Sequence, residues 1–551
     1  MHRGYSLSHK PHENVRLNVT QLFIPRIKIP PLSENIEVLY KLDYEQLLGK
    51  LKQAFSLTKE NPMIKPLYEA YKSMMGILYS ETNEEFFEDL FIRHTYMQLA
   101  VIASLSIALG KIGELEDICS GSLIGVEVAL PYLNWWKTAL HNKEAKNLIK
   151  DVLEVITTRA NLVDWSLGTV EDVFRTLYEF LVESHIRRQL GEYYTPIWLV
   201  EMMINKFNVK GKIILDPFCG SGSFLVKAFY KKIELGENPD VALNEIVGFD
   251  INPLAISVAR AELIIAYNKI SGREPENPPH IYHVDTFAIW FGGYMIPFKG
   301  LEEIAKRAWN YLDVLVKFKQ IKLGSITEML ATLRNLEKAL TYAIRFAHNK
   351  CKLTDKCLEE EIIKYLEQNL ENFRDDFTQR FLEHFKSENV IRTIAKLITE
   401  HGGNDVWAIV LMSIYIPILI TGFKPDIIIT NPPWIPITEY KASYSEEIRR
   451  CMLEKIKKQV RNKATRVLAG ADIATVALAK SIKLANEGVA YIMNRDQLFN
   501  HNTSIPAGII ATYCILKEVL KDISVNVELF DFDFDVFQHG IYPSVIIIKK
   551  V

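Results

Sequence analysis

Cysteine is scarce: the chain carries six in 551 residues, at positions 119, 219, 351, 357, 451 and 514. None falls in a Cys-x-x-Cys pair. No His/Cys set sits at ligand spacing around Cys351 and Cys357, the two closest, so neither a disulfide framework nor a zinc site is expected. An excess of one charge is also missing. Sixty-five Lys plus Arg stand against 67 Asp plus Glu, a net charge of −2, which excludes a polybasic, histone-like binder but allows a local basic surface. Long apolar runs are nearly absent. Val406–Ile420 is shorter than the roughly 20 residues a bilayer span needs, and Pro417 interrupts it, so it reads as buried core. The polar start, Met1 to Lys10, lacks the apolar core of a signal peptide. A soluble, cytoplasmic chain with no membrane contact, in a reducing setting, is the expectation. Two nucleotide fingerprints are missing as well. There is no Gly-x-x-x-x-Gly-Lys-Ser/Thr loop, and Leu225 stands where a Gly-x-Gly-x-x-Gly pattern needs its third glycine. What is present, 48% hydrophobic and 24% charged residues, is ordinary globular composition. At about 100–200 residues per domain the length suggests two to four domains.

Residues 1–40 are Pro-containing and irregular. From Tyr44 to about Leu190 apolar residues recur at three- and four-residue spacing, a helical pattern. After Gly191 the character changes. Short β-branched runs, Lys212–Asp216, Ile246–Asp250, Ile281–Asp285, Asp426–Thr430 and Gly488–Met493, alternate with helical stretches. That succession predicts an α/β fold with a doubly wound, mostly parallel sheet covered on both faces. Residues 286–425 are too long for one crossover and read as a helical insertion. Val525–Phe530 and Ser544–Lys549 predict a terminal antiparallel pair. The expected divisions are a helical N-terminal part, 1–190; a cofactor-binding half, 191–285; the insertion, 286–425; and a catalytic half, 426–551.

Chemistry concentrates at the strand ends. Asp216-Pro217-Phe218-Cys219-Gly220-Ser221-Gly222 follows the first strand. Its glycines allow a sharp turn and close approach of a ligand, and the next helix aims its N–H groups at the same place. The second strand ends in Asp250-Ile251, where an acid can accept both hydroxyls of a ribose. The third ends in Asp285-Thr286. Together these point to a nucleoside-bearing cofactor, with no metal. The fourth strand delivers Asn431-Pro432-Pro433-Trp434. The prolines stiffen this loop and remove two N–H donors. An amino group can then donate to the Asn431 side-chain oxygen and the Pro432 carbonyl, while Trp434 offers a flat face to a planar base.

Asp-Pro-Phe-Cys-Gly-Ser-Gly, Asp250, Asp285 and Asn-Pro-Pro-Trp, in this order, resemble the motif series of amino-group, adenine-specific DNA methyltransferases. Gly191-Glu192-Tyr193-Tyr194-Thr195-Pro196 resembles the Tyr-Thr-Pro element of that family. The likeness is greatest to type I modification subunits and type IIG restriction–modification methyltransferases. It covers roughly 170–285 and 426–551. It implies the S-adenosylmethionine-dependent methyltransferase fold and S-adenosylmethionine as cofactor. Thr195 and the Gly220/Gly222 loop would hold its methionine end, Asp250 its ribose hydroxyls and Asp285 its adenine amino group, with Tyr194, Asp216, Cys219, Ile251 and Thr286 also at the cofactor. Asn431, Pro432, Pro433 and Trp434 would hold a target adenine flipped out of double-stranded DNA, in a restriction–modification or phage-defence system. Cytosine N4, RNA or protein glutamine as acceptor, or a non-catalytic DNA-binding subunit, are the alternatives.

Between residues 449 and 466 eight basic residues face only Glu454. Arg449, Arg450, Lys457, Lys458 and Arg461 are the expected phosphate contacts. The chain stops at Val551, at the last expected strand. Target recognition is therefore expected from a separate specificity subunit, rather than from the insertion or the other half of a split system.

Overall fold

The structure, a computed structural model, describes residues 28–79, 83–125, 128–168, 172–181, 195–291, 326–351, 354–369, 376–387, 389–401, 407, 411, 424–440, 445–460, 462–499, 507–532, 534–537 and 542–551. Uninterrupted Ile- and Val-rich runs leave a strand no solvent face, so they must be covered on both sides. Among the described residues seven strands form one sheet, all but the edge strand β6 largely buried: β1 (Ile214–Asp216), β2 (Ile246–Asp250), β3 (His280–His283), β4 (Ile427–Thr430), β5 (Gly488–Asn494), β6 (Val525–Asp531) and β7 (Pro543–Lys550). Their order is β3-β2-β1-β4-β5-β7-β6. β1 to β5 pair in parallel, whereas β7 runs antiparallel between β5 and β6. The expected parallel sheet with a terminal antiparallel pair is therefore present.

Side chains alternate between the two faces along each strand. Leu215, Val247, Ile428, Val489 and Ile548 enter one core, and Ile214, Ile246, Ile427, Ala490 and Ile547 the other. Helix Ile473–Leu484 packs in the first core; helices Ile197–Ile204 and Ser223–Glu234 pack in the second. The first core is continuous with the N-terminal helices. Helix Glu84–Ala108 packs along helix Pro253–Ser271, and Ser257 Oγ donates to the Val128 carbonyl at 2.9 Å.

Among the described residues Glu84–Ala108 is the one helix long and apolar enough to cross a membrane, and 89% of its apolar stretch is buried inside the protein. Glu84, Glu85, Glu88 and Asp89 in its first turns mask it in the sequence. Most of Val406–Ile420 lies outside the described residues, and its two described members, Trp407 and Leu411, are buried. The described parts of 286–425 are helical: Thr286–Phe291, Ile326–Lys350, Asp355–Asn369, Asp376–Ser387 and Val390–His401.

One expectation is corrected. Cys351 and Cys357 are joined by a disulfide, with their Cα atoms 5.8 Å apart. The pair spans the connection between helices Ile326–Lys350 and Asp355–Asn369. Packing of the two helices against each other, rather than any cysteine pattern, brings the two residues together. Thiol titration in denaturant without reductant is expected to count four free cysteines, and six after reduction. Six without reductant would show the pair to be open.

Candidate active site

Strand order reverses between β1 and β4, and in open α/β sheets such a switch point leaves a crevice at the carboxyl ends of the strands. Both key loops leave from there. Asp216 ends β1 and Thr430 ends β4. Thr430 Oγ1 donates to Asp216 Oδ1 at 2.6 Å, and the backbone N–H of Phe218 donates to the same oxygen at 3.1 Å. Asp216 is 1% exposed, and its Oδ2 has no hydrogen-bond partner among the described residues.

The glycine loop depends on left-handed backbone at Gly220 (φ +52°) and Gly222 (φ +96°). At Gly222 a Cβ would also lie 2.9 Å from the Cβ of Ala259, so helix and loop could not close. At Gly220 a Cβ would meet nothing within 4 Å, so the loop faces open space there. The Gly220 N–H donates to Asp250 Oδ2 at 2.8 Å, and the Asn252 N–H to Asp250 Oδ1 at 2.8 Å. Asp250 thus ties the end of β2 to the loop after β1.

The Cys219 thiol is turned into the core, where a Cβ on Gly248 would lie 3.0 Å from its sulfur. Burial pushes this thiol well above its ordinary range. Thr286 is also buried, and its hydroxyl donates to the Pro217 carbonyl at 2.5 Å. Asp285 Oδ1 accepts from the Ala288 N–H at 3.1 Å, at the start of helix Thr286–Phe291. The Ile251 carbonyl hydrogen-bonds His283 Nε2 at 2.8 Å.

On the other side of the crevice, Asn431 Nδ2 donates to Thr195 Oγ1 at 3.2 Å, joining β4 to the Tyr-Thr-Pro element. Tyr194 lies outside the described residues. Pro432 is buried, and Pro433 and Trp434 are half-buried. The Trp434 indole N–H donates to the Ile492 carbonyl at 3.3 Å, and Phe537 meets the ring edge-on with centroids 5.5 Å apart. Ile437 N–H and Ile473 N–H bond across to the carbonyls of Ala471 and Ile435, each at 3.0 Å, which holds the chain beyond the loop.

Sequence reasoning missed Thr430, Phe537 and His283. A threonine closing an apolar strand was the one visible hint.

The basic helix Ser445–Gln459 is less free than its charge suggests. Arg449 donates to the carbonyls of Ile437 (3.2 Å) and Tyr440 (2.9 Å) and pairs with Glu446, so it braces the segment after Trp434. Arg450 pairs with Glu447, and Lys458 with Glu518. Lys457 is exposed and has no ion pair among the described residues; Arg461 lies outside them.

Fold and site together define a class: a mixed α/β chain in which a glycine loop and an Asn-Pro-Pro-Trp loop meet at the switch point, as in amino-group DNA methyltransferases. A family model described as "Eco57I restriction-modification methylase" matches residues 244–521, just over half of the chain. One described as "N-6 DNA Methylase" matches residues 169–288. The chain belongs to the Eco57I restriction-modification methylase family. It is 33% identical over 146 residues to the type I restriction enzyme MjaIX methylase subunit of Methanocaldococcus jannaschii, covering 25% of each chain. It is 31% identical over 121 residues to the adenine-specific methyltransferase PglX of Streptomyces coelicolor, covering 20% of this chain and 10% of that one. The chain thus matches a quarter or less of these two relatives' lengths. Its fold is shared with a chain of the DrdV–DNA complex, with TM-score 0.50, 13% identity, 95% of this chain and 42% of that one.

Burial raises Asp216 to about 7 and Asp250 to about 6, and the Asp250 charge adds to the rise at Asp216. A carboxyl raised in this way favours the protonated fold. Its contribution to stability is full below the unfolded value of 3.8 and is lost as pH rises through about 7. Asp216→Asn, which fixes a neutral group and keeps the acceptor for Thr430, should remove this part of the decline. Thermal melts from about pH 4 to about pH 8 should show the variant gaining on the wild type as pH rises. A constant difference would contradict the assignment.

Proposed function

We propose that this protein is an S-adenosylmethionine-dependent DNA methyltransferase with the methyltransferase fold. It would act in the cytoplasm on the exocyclic N6 amino group of a flipped-out adenine, within a restriction–modification or phage-defence system. The observation that carries the reading is the Thr430–Asp216 bond, which holds the glycine loop and the Asn-Pro-Pro-Trp loop side by side. The residues suit the cofactor. The Gly220 loop has open space before it, the helix Ser223–Glu234 begins there, and Asp250 and Asp216 are buried or half-buried acceptors beside it. The cofactor supplies an electrophilic methyl group on a sulfonium.

In this reading the N–H groups after Gly220 meet the methionine carboxylate, and Asp216 lies toward its ammonium. Asp250 accepts from the ribose hydroxyls, and Ile251 and Asp285 bound the adenine. Cys219 and Thr286 contribute through loop shape, since both side chains are buried. Asn431 and Pro432 accept the two hydrogens of the target amino group, which turns its lone pair toward the methyl group and stabilises the positive charge that develops on nitrogen. One amine proton leaves to water after transfer. Thr195 holds the Asn431 amide so that its carbonyl oxygen is presented to the amine. Trp434, pinned through its N–H, stacks on the base and offsets part of the cost of flipping it, roughly a few kcal/mol.

Lys457, with Arg450 and Lys458, contacts DNA phosphates. Surface ion pairs are worth about 0–1 kcal/mol, so the Glu447 and Glu518 partners yield readily to phosphate. Arg449 acts by bracing Ile437 and Tyr440. A separate specificity subunit supplies target recognition.

Asn431→Ala should lower kcat for methyl transfer to duplex DNA by about 10²–10³-fold, the loss typical of one charge-stabilising contact. Its S-adenosylmethionine affinity by calorimetry should stay near wild type. Retained transfer, or loss of cofactor binding in a folded variant, would overturn the role given to this loop.

A further inference from the structure

Among the N-terminal helical elements, one segment reaches both halves of the cofactor site. Residues 172–181 follow the N-terminal helices, and Asp172 lies in left-handed backbone, with φ +59°. That region is uncommon for residues other than glycine, although aspartate tolerates it better than most. Glu262 holds it there. This carboxylate projects from helix Pro253–Ser271, is fully buried, and accepts from the N–H of Asp172 and the N–H of Phe174, each at 3.0 Å. A buried carboxylate spent on two backbone donors fixes the loop in one conformation.

The Asp172 side chain then reaches the glycine loop. Its Oδ1 accepts the Ser221 hydroxyl at 3.0 Å, and both residues are buried. Ser221 sits between the two left-handed glycines, so its side chain fixes the loop from behind while the backbone faces the crevice. Six residues on, the Tyr178 hydroxyl accepts from Asn252 Nδ2 at 2.5 Å. Asn252 is the residue whose N–H holds Asp250, and its own Oδ1 caps helix Pro253–Ser271 at the Leu254 N–H. The hydrogen bonds close a circuit. Asp250 binds the loop at Gly220, the loop binds Asp172 through Ser221, Asp172 is held by Glu262, and the helix carrying Glu262 starts at Asn252, which Tyr178 grips.

We propose that Asp172 and Tyr178 are positioning residues of the cofactor site, so that the segment after the N-terminal helices sets the geometry of the Gly220 loop and of Asp250. The proposal rests on the S-adenosylmethionine reading above. Packing alone would make any damage at Asp172 a matter of stability. Positioning makes it a matter of cofactor affinity.

The test uses the full chain, with S-adenosylmethionine and S-adenosylhomocysteine titrated by calorimetry and KM and kcat measured separately. Asp172→Ala should weaken cofactor binding on the order of tenfold, the loss of one buried hydrogen bond to a charged acceptor. It should raise the cofactor KM by a similar factor and leave kcat at saturating cofactor near wild type. Asp172→Asn keeps an acceptor for Ser221 and should restore binding. Ser221→Ala removes the same bond from the loop side, and adding it to Asp172→Ala should cost little more. Tyr178→Phe, which removes the acceptor for Asn252, should weaken binding in the same direction. If Asp172→Ala fails to fold, Ser221→Ala and Asp172→Asn carry the test. Wild-type affinity in folded Asp172→Ala or Ser221→Ala, or equal losses in Asp172→Ala and Asp172→Asn, overturns the positioning role alone. A wild-type chain that binds neither ligand overturns the cofactor reading and this proposal with it.

Discussion

The hydrogen bond from Thr430 to Asp216 is the contact on which the rest of the site depends. It joins the carboxyl ends of the two central strands where the sheet changes winding direction, and it is buried on both sides. Each strand carries one half of the proposed reaction, and 213 residues separate the two halves in the chain. Parallel pairing of β1 with β4 sets their register, and the side-chain bond links the last residue of one strand directly to the last residue of the other, from which the loops depart. Small errors of position at a reacting centre are costly in rate. A short, buried bond at the root of both loops is a stiffer link than any surface contact between them.

Burial also sets the electrostatics. Asp216, Asp250, Asp172 and Glu262 are buried or half-buried carboxyls raised above their ordinary range, chiefly by desolvation. A folded chain keeps such groups only where neighbours satisfy them, and most of their oxygens accept backbone or hydroxyl donors. Among the described residues the Oδ2 atoms of Asp216 and Asp172 have no hydrogen-bond partner. At Asp216 fold stability is given up where the proposed cofactor would add a cation.

Much of the sheet was legible in the sequence, because buried parallel strands leave a strong trace. Ile-rich runs ended by Asp216, Asp250 and Thr430 stood out against helical periodicity, and the C-terminal pair was marked by two short apolar runs flanking an Asp/Phe-rich, Gly-containing turn. Asn431 and the Gly220 loop were legible because proline restricts the backbone, and glycine frees it, in ways few other residues do. What could not be read depended on long-range approach. Asp172 gains its role from Ser221 and Glu262, which are 49 and 90 residues away. Cys351 and Cys357 meet because two helices pack. Arg449 counts as a cation in the sequence, yet in the fold its guanidinium is spent on two carbonyls. The basic run therefore overstated the charge available to DNA.

The most direct measurement is to incubate the purified chain with labelled S-adenosylmethionine and mixed-sequence duplex DNA, then digest to nucleosides and identify the labelled product. Label in N6-methyladenine is the predicted result. Label on cytosine or on protein, with adenine unlabelled, would contradict the account.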